Sequence, residues 1–136
     1  MQLVHSVGEG GFGRVYKATV SSNLSEAQQT IAVKFFLREK DCQQYPMAIS
    51  GSFLRELYAL AAIQNRQIKK DVLEKTKQPF TKLYCGLVAK EGNGALLMEY
   101  IDGESLYTLV KRLRAQQERL AEKLIWNYFI QMATAL

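Results

Sequence analysis

The segment Val7-Gly8-Glu9-Gly10-Gly11-Phe12-Gly13-Arg14-Val15, followed downstream by Ile31-Ala32-Val33-Lys34, constrains this chain more than any other feature. Glycine lacks a Cβ, so a backbone rich in it can adopt positive φ and bring N–H groups close to phosphate oxygens. Lys34 adds a cation that can neutralise a phosphate. Glycines at this spacing also occur in dinucleotide-binding folds, but there they follow a strand and open a helix. Here Gly13 leads into Val15-Tyr16-Lys17-Ala18-Thr19-Val20, which alternates and is rich in β-branched residues, and so predicts a second strand. A P-loop needs a lysine directly after its last glycine, where this chain has Arg14. What remains is a glycine-rich hairpin ahead of a lysine-bearing strand. A plain glycine turn with an exposed lysine nearby is the alternative.

Gly8, Gly10, Gly13 and Val15 fit G-x-G-x-x-G-x-V position for position, and Ile31 to Lys34 fit the V-A-I-K-like strand that accompanies it. On these residues the chain resembles the eukaryotic protein kinase family, specifically its N-terminal lobe, over nearly all of its 136 residues. The resemblance implies an α+β fold, a protein-kinase-like N-lobe of five antiparallel strands plus one main helix, followed by two helices beginning the C-lobe. Residues 1–101 would be the N-lobe and hinge, and 102–136 the start of an incomplete helical C-lobe. The first three strands are expected over Leu3 to Val7, Arg14 to Val20 and Thr30 to Phe36, with Ser21 to Gln29 as a polar loop. Arg38 to Ser52, containing Pro46 and Gly51, is expected to be a flexible loop in which Tyr45 or Ser50 is a conceivable modification site.

A helix should follow, because Phe53, Leu54, Leu57, Leu60 and Ala61 recur at helical spacing. Glu56 lies within that stripe. In kinases a glutamate on this helix pairs with the strand lysine and holds it against the α- and β-phosphates, which implies catalytic roles for Lys34 and Glu56. A solvated helix glutamate is the plainer reading, and Glu39 sits too near the third strand to compete. Gln64 to Pro79 is longer and more basic than the family's usual link. It can extend the helix, with Pro79 as the stop. Arg66, Lys69, Lys70, Lys75 and Lys77 read as a solvated face, and no function is assigned to them.

Phe80 to Ala89 and Ala95 to Ile101 read as strands four and five, with the turn Lys90 to Gly94 marked by Asn93-Gly94. The stretch Leu96 to Leu106 is similar to the kinase strand that enters the hinge. That resemblance makes Met98 the gatekeeper, and the Glu99 carbonyl and Ile101 N–H the groups that read the adenine edge. Ser105 would reach the ribose. Val7, Val15, Ala32 and Met98 would supply an apolar slot for the base, while Gly8, Glu9, Gly10, Gly11, Phe12 and Gly13 would cover the phosphates with Lys34 beneath. The cofactor implied is ATP, with Mg²⁺ expected for the family.

Leu106 to Leu113 reads as a short helix, and a last helix runs from about Leu120 to the end. Leu120, Leu124, Ile125, Tyr128, Phe129, Met132 and Leu136 share one face of it. In the family such a face packs on further C-lobe helices, which this chain does not contain. Several uncovered large side chains would cost about 1.5–3 kcal/mol each. The chain therefore reads as a fragment or an incomplete product whose missing C-lobe would cover this helix.

The family's catalytic loop needs H-R-D with an Asn five residues past the Asp, and its metal site needs D-F-G. The sole histidine is His5, and Asp41, Asp71 and Asp102 sit in neither context. The base and the main Mg²⁺ ligand are thus not in this sequence, and no metal site is read from its residues. Without them ATP should bind poorly. A net charge of +5 suits ATP or an acidic partner, but basic and aromatic residues are not interleaved as a nucleic-acid surface requires. No apolar run is long enough to span a bilayer, and no signal-peptide pattern precedes the glycine segment. Cys42 and Cys85 form no CxxC, and two reduced cysteines fit a cytoplasmic protein.

Two readings follow. In the first, the chain is the ATP-binding portion of a protein kinase, of the more abundant serine/threonine type, acting on an unidentified protein substrate. In the second, it is a pseudokinase-like nucleotide-binding or protein-interaction module. Intact Lys34, Glu56 and loop glycines favour the first. The 136 residues alone are expected to lack phosphotransferase activity, and transfer of radiolabel from γ-labelled ATP to a protein acceptor above background would overturn that.

Overall fold

A computed structural model of the chain describes residues 1–10, 13–22, 25–36, 50–74, 80–89 and 92–135. Five strands, β1 (Gln2–Gly10), β2 (Gly13–Ser22), β3 (Ser25–Phe36), β4 (Leu83–Val88) and β5 (Gly94–Glu99), form an antiparallel sheet in the order β1-β2-β3-β5-β4. Helix α1 (Gly51–Glu74) lies between β3 and β4 in the chain, and α2 (Leu106–Ala115) and α3 (Glu122–Ala135) follow the sheet. The fold is α+β, a five-stranded sheet with one main helix and then two more. Two compact units divide it, Met1–Ile101 and Asp102–Leu136.

Residues directly opposite one another in an antiparallel ladder share a face of the sheet. Three neighbouring rows therefore lie on one face: Gly10-Gly13-Phe36-Gly94, Gly8-Val15-Lys34-Leu96, and Lys17-Ala32-Met98-Leu83. The other face carries the buried cluster of Ala18, Ile31, Val33 and Ala95, flanked by Val20, Phe35 and Leu97. Helix α1 packs on the first face. Its Phe53 is fully buried with Phe36, Leu83 and Leu96, and Leu54, Leu57, Leu60 and Ala61 pack against that cluster.

This approach is close because two strand positions lack a side chain. A Cβ on Gly94 would collide with the ring of Phe53, and one on Gly86 would stand 2.9 Å from Cδ1 of Leu57. Phe36 and Phe53 then meet edge to face, their ring centroids 5.5 Å apart. Farther along the helix, Oε1 of Gln64 accepts the Leu83 N–H at 2.8 Å and ties α1 to β4.

Several boundaries differ from the sequence expectations. Within the polar stretch Ser21 to Gln29, residues 21–22 and 25–29 belong to strands: β2 and β3 continue, pairing Val20 with Gln29 and Ser21 with Gln28, while residues 23 and 24 lie outside the described residues. Each added pair satisfies backbone donors and acceptors that a loop would leave to water, and Gln28 and Gln29 face solvent. β1 likewise runs on through Gly8, Glu9 and Gly10. β4 begins at Leu83, later than Phe80, and β5 ends at Glu99 before Ile101. The β4–β5 turn is not centred on Asn93-Gly94. Gly94 is already in the ladder, opposite Val88, and the left-handed residue is Gly92 at φ 80°. The N–H of Gly92 donates to Ala89 O and the N–H of Ala89 to Asn93 O, both at 2.9 Å.

Residues 50–52, expected within a flexible loop, instead head α1. Ser50 is fully buried and its carbonyl accepts the Leu54 N–H at 3.2 Å. Tyr45 and the rest of that segment up to residue 49 lie outside the described residues, as do Lys75, Lys77 and Pro79. Helix α1 continues through Gln64 to Glu74, α2 extends to Ala115, and α3 starts at Glu122 rather than Leu120. Past α2, Gln117 takes a left-handed φ of 58°, with Gln117 N–H donating to Arg114 O and Glu118 N–H to Leu113 O. That is a Schellman end made without glycine.

Gly94→Ala should destabilise unit Met1–Ile101 by about 1–3 kcal/mol, because the Phe53 ring must move out of its site. Gly51→Ala, whose Cβ would meet open space, is the control and should be neutral. Urea unfolding of both variants checks this, and equal midpoints would refute it.

Candidate nucleotide site

The glycine segment is the end of the β1–β2 hairpin, with Gly10 opposite Gly13. Its glycines have unlike reasons to be glycine. Gly13 has φ 155°, and a Cβ there would run into the Phe35 carbonyl, so the fold itself excludes a side chain. Around Gly8 and Gly10 nothing lies within 4 Å of where a Cβ would stand. Among the described residues no neighbour requires glycine at those two positions. Gly11 and Phe12 lie outside the described residues. Glu9 and Arg14 are opposite one another, on the face turned away from Val15 and Lys34. Glu9 therefore offers its backbone, not its carboxylate, to the lysine side. Val7 is half-exposed at an irregularity between the pairs Ser6–Tyr16 and Gly8–Val15.

Lys34 projects from β3 between Val15 on β2 and Leu96 on β5. Its Nζ donates to Oε2 and Oε1 of Glu56 on α1 at 2.6 and 2.8 Å. The pair is partly shielded, with the lysine side chain 21% and the glutamate 32% exposed. The Phe36 ring lies 5.0 Å from the same ammonium. Helix packing makes this meeting obligatory. Two residues along a strand span about 6.7 Å, and three along a helix about 4.5 Å. Once Phe53 docks on Phe36, Glu56 is therefore carried to Lys34.

Next to the lysine row, Ala32 is buried and Met98 half-buried, and Val15 is half-buried one row away. Lys17 shares the Ala32–Met98 row, and its ammonium sits 4.6 Å from the centre of the Tyr100 ring. At the end of β5 the N–H of Glu99 donates to Lys82 O at 2.8 Å, and the Glu99 carboxylate accepts the Lys82 N–H at 3.2 Å. Ile101 is 63% exposed. Ser105 belongs to the second unit and caps α2: its Oγ accepts the Thr108 N–H at 3.1 Å. Arg112 donates to Glu104 at 2.6 Å and holds that carboxyl below its usual range.

The first unit thus brings Val15, Ala32, Lys34, Glu56 and Met98 onto one face, with Gly8 and Gly10 at its rim. Sequence reasoning did not single out Gly86 or Gln64, and it read Gly94 only as a turn residue, although these three seat the helix that delivers Glu56. An isolated glycine within a strand pattern is the signal that pointed to Gly86. Glu9–Arg14 and Lys17–Tyr100 carried no pattern, because both pairings depend on sheet register. Cys85 is free and exposed on β4. Among the described residues, no three His, Cys, Asp or Glu side chains gather into a metal-binding group, and no helix is long and apolar enough to cross a membrane. A separate concavity of about 530 Å³ at the α2–α3 turn is lined by Val110, Leu113, Gln117 and Leu120 among others, and by none of the glycine, lysine or glutamate residues of the candidate site.

The family model described as "Protein tyrosine and serine/threonine kinase" matches residues 1–136. The chain is also similar to the serine/threonine-protein kinase mos of Sibon nebulatus, with 30% identity over 108 residues. That match covers 79% of this chain and 47% of the relative, so the chain spans about half the length of the curated protein it resembles. With a hairpin, a lysine strand and a glutamate helix arranged as described, and a family match over its whole length, this chain belongs to the protein kinase family.

Proposed function

We propose that the chain is the ATP-binding portion of a serine/threonine protein kinase. The observation that carries this reading is the two-pronged Lys34–Glu56 contact beside an open glycine backbone. A lysine whose ammonium is held by a carboxylate has a defined position, and can meet an anion without ordering a flexible side chain first. The α- and β-phosphates of ATP are the anions that fit between Lys34 and the N–H groups of Gly8, Glu9 and Gly10. Gly11 and Phe12 would complete that cover. Val7, Val15, Ala32 and Met98 would line the apolar space for the base, and the Glu99 carbonyl and Ile101 N–H would read its edge.

In the reaction, a substrate hydroxyl gives up its proton to a general base as its oxygen bonds to the γ-phosphorus, the bond to the β–γ bridging oxygen breaks, and ADP leaves. Lys34 and Glu56 contribute positioning and charge to that step. Mg²⁺, expected for the family, would neutralise phosphate charge, and among the described residues no cluster of His, Cys, Asp or Glu forms a ligand set for it. The exposed Trp126, Phe129, Ile130 and Met132 of α3 give a helical lobe an apolar surface to cover.

Titration of the ¹⁵N-labelled chain with ADP should shift the amides of Gly8, Gly10, Val15 and Lys34. Lys34→Met should weaken ADP by about tenfold or more, the loss of one charge-assisted contact. Glu56→Gln should weaken it less, since the ammonium remains but loses its anchor. Shifts scattered over the chain, or equal affinity in Lys34→Met, would refute the site.

A further inference from the structure

The outer side of the glycine hairpin holds an ion pair to which the nucleotide reading gives no role. Glu9 and Arg14 are directly opposed, one pair before Gly10–Gly13. Arg14 Nε donates to Glu9 Oε1 at 3.0 Å. The guanidinium is held charged first by Glu9 and then by Tyr16, and the Tyr16 ring packs edge-on against Phe35 at 5.7 Å. The contact thus connects the hairpin end to the outer layer of the sheet.

The rest of β1 is weakly attached. It is an edge strand, all nine of its residues are exposed, and its ladder is interrupted between Leu3 and His5 and again between Ser6 and Gly8. Gly8 and Gly10 have no side chains with which to grip β2. Among the described residues, Glu9–Arg14 is the one ion pair joining β1 to the sheet.

We propose that Glu9 and Arg14 form a clasp that holds the glycine hairpin in register, and so sets where its N–H groups meet the phosphates of a nucleotide. Both are positioning residues acting through the backbone. The proposal rests on the nucleotide reading and adds a selectivity: the clasp matters to ligands bearing phosphates and not to the nucleoside, which the slot alone would hold.

The test compares ADP with adenosine in the unaltered chain, in Glu9→Gln, in Arg14→Gln, and in the swap Glu9→Arg with Arg14→Glu. Each single variant should weaken ADP about two- to fivefold, the range of an exposed ion pair, and leave adenosine unchanged. The swap should restore ADP, and the differences should fade near molar salt. Glu9→Gln is decisive, because removing a nearby negative charge would by simple attraction strengthen ADP, whereas loss of the clasp weakens it. Stronger ADP binding in Glu9→Gln, equal losses for adenosine and ADP, or a swap that restores nothing would overturn the clasp while leaving the site intact. Failure of the unaltered chain to bind ADP at the hairpin would remove both.

Discussion

Phe53 and Leu57 rest on Gly94 and Gly86, where the missing Cβ atoms let α1 come close to β4 and β5. That contact sets the height, and with Gln64 on Leu83 the direction, of the helix over the sheet. The position of Glu56 follows from it, since the residue is one helical turn from Phe53 and must face the strand that carries Phe36 and Lys34. The ion pair is therefore a consequence of apolar packing as much as of electrostatics. Burial of Phe53, Phe36 and Leu96 supplies the energy, and the charges meet where that packing leaves them.

The sheet is asymmetric as a result. Its β5–β4 half is covered by α1, while its β1–β2 half carries an exposed edge strand that includes Gly8 and Gly10. Segments with few buried apolar contacts open at low free-energy cost. Lys34 sits at the border between the two halves, tied to the rigid one through Glu56.

Much of this was legible in the residues. The helix stripe from Phe53 to Ala61, the hairpin glycines and the lysine strand are local periodicities, and local periodicity is what a single sequence displays. The misplaced boundaries share another cause. Ser21, Gln28 and Gln29 are polar and look like loop residues, yet their backbone is in the ladder because one already begun by Ala18, Ile31 and Val33 is cheaply lengthened. Asn93-Gly94 reads as the end of a turn, but Gly94 is already in the ladder, beneath Phe53, and of the expected turn it is the residue that joins a strand. In both places a partner distant in sequence overrode a local preference.

By itself the sequence determined the class of fold and the groups available to it: hairpin glycines, a strand lysine and a helix glutamate. It did so because strand and helix periods are written along the chain. Only the tertiary structure decided which groups meet. Glu56 reaching Lys34, Glu9 turning away from it to bind Arg14, and Ser105 capping α2 depend on register and close packing. Those are relations between segments, and no one segment encodes them.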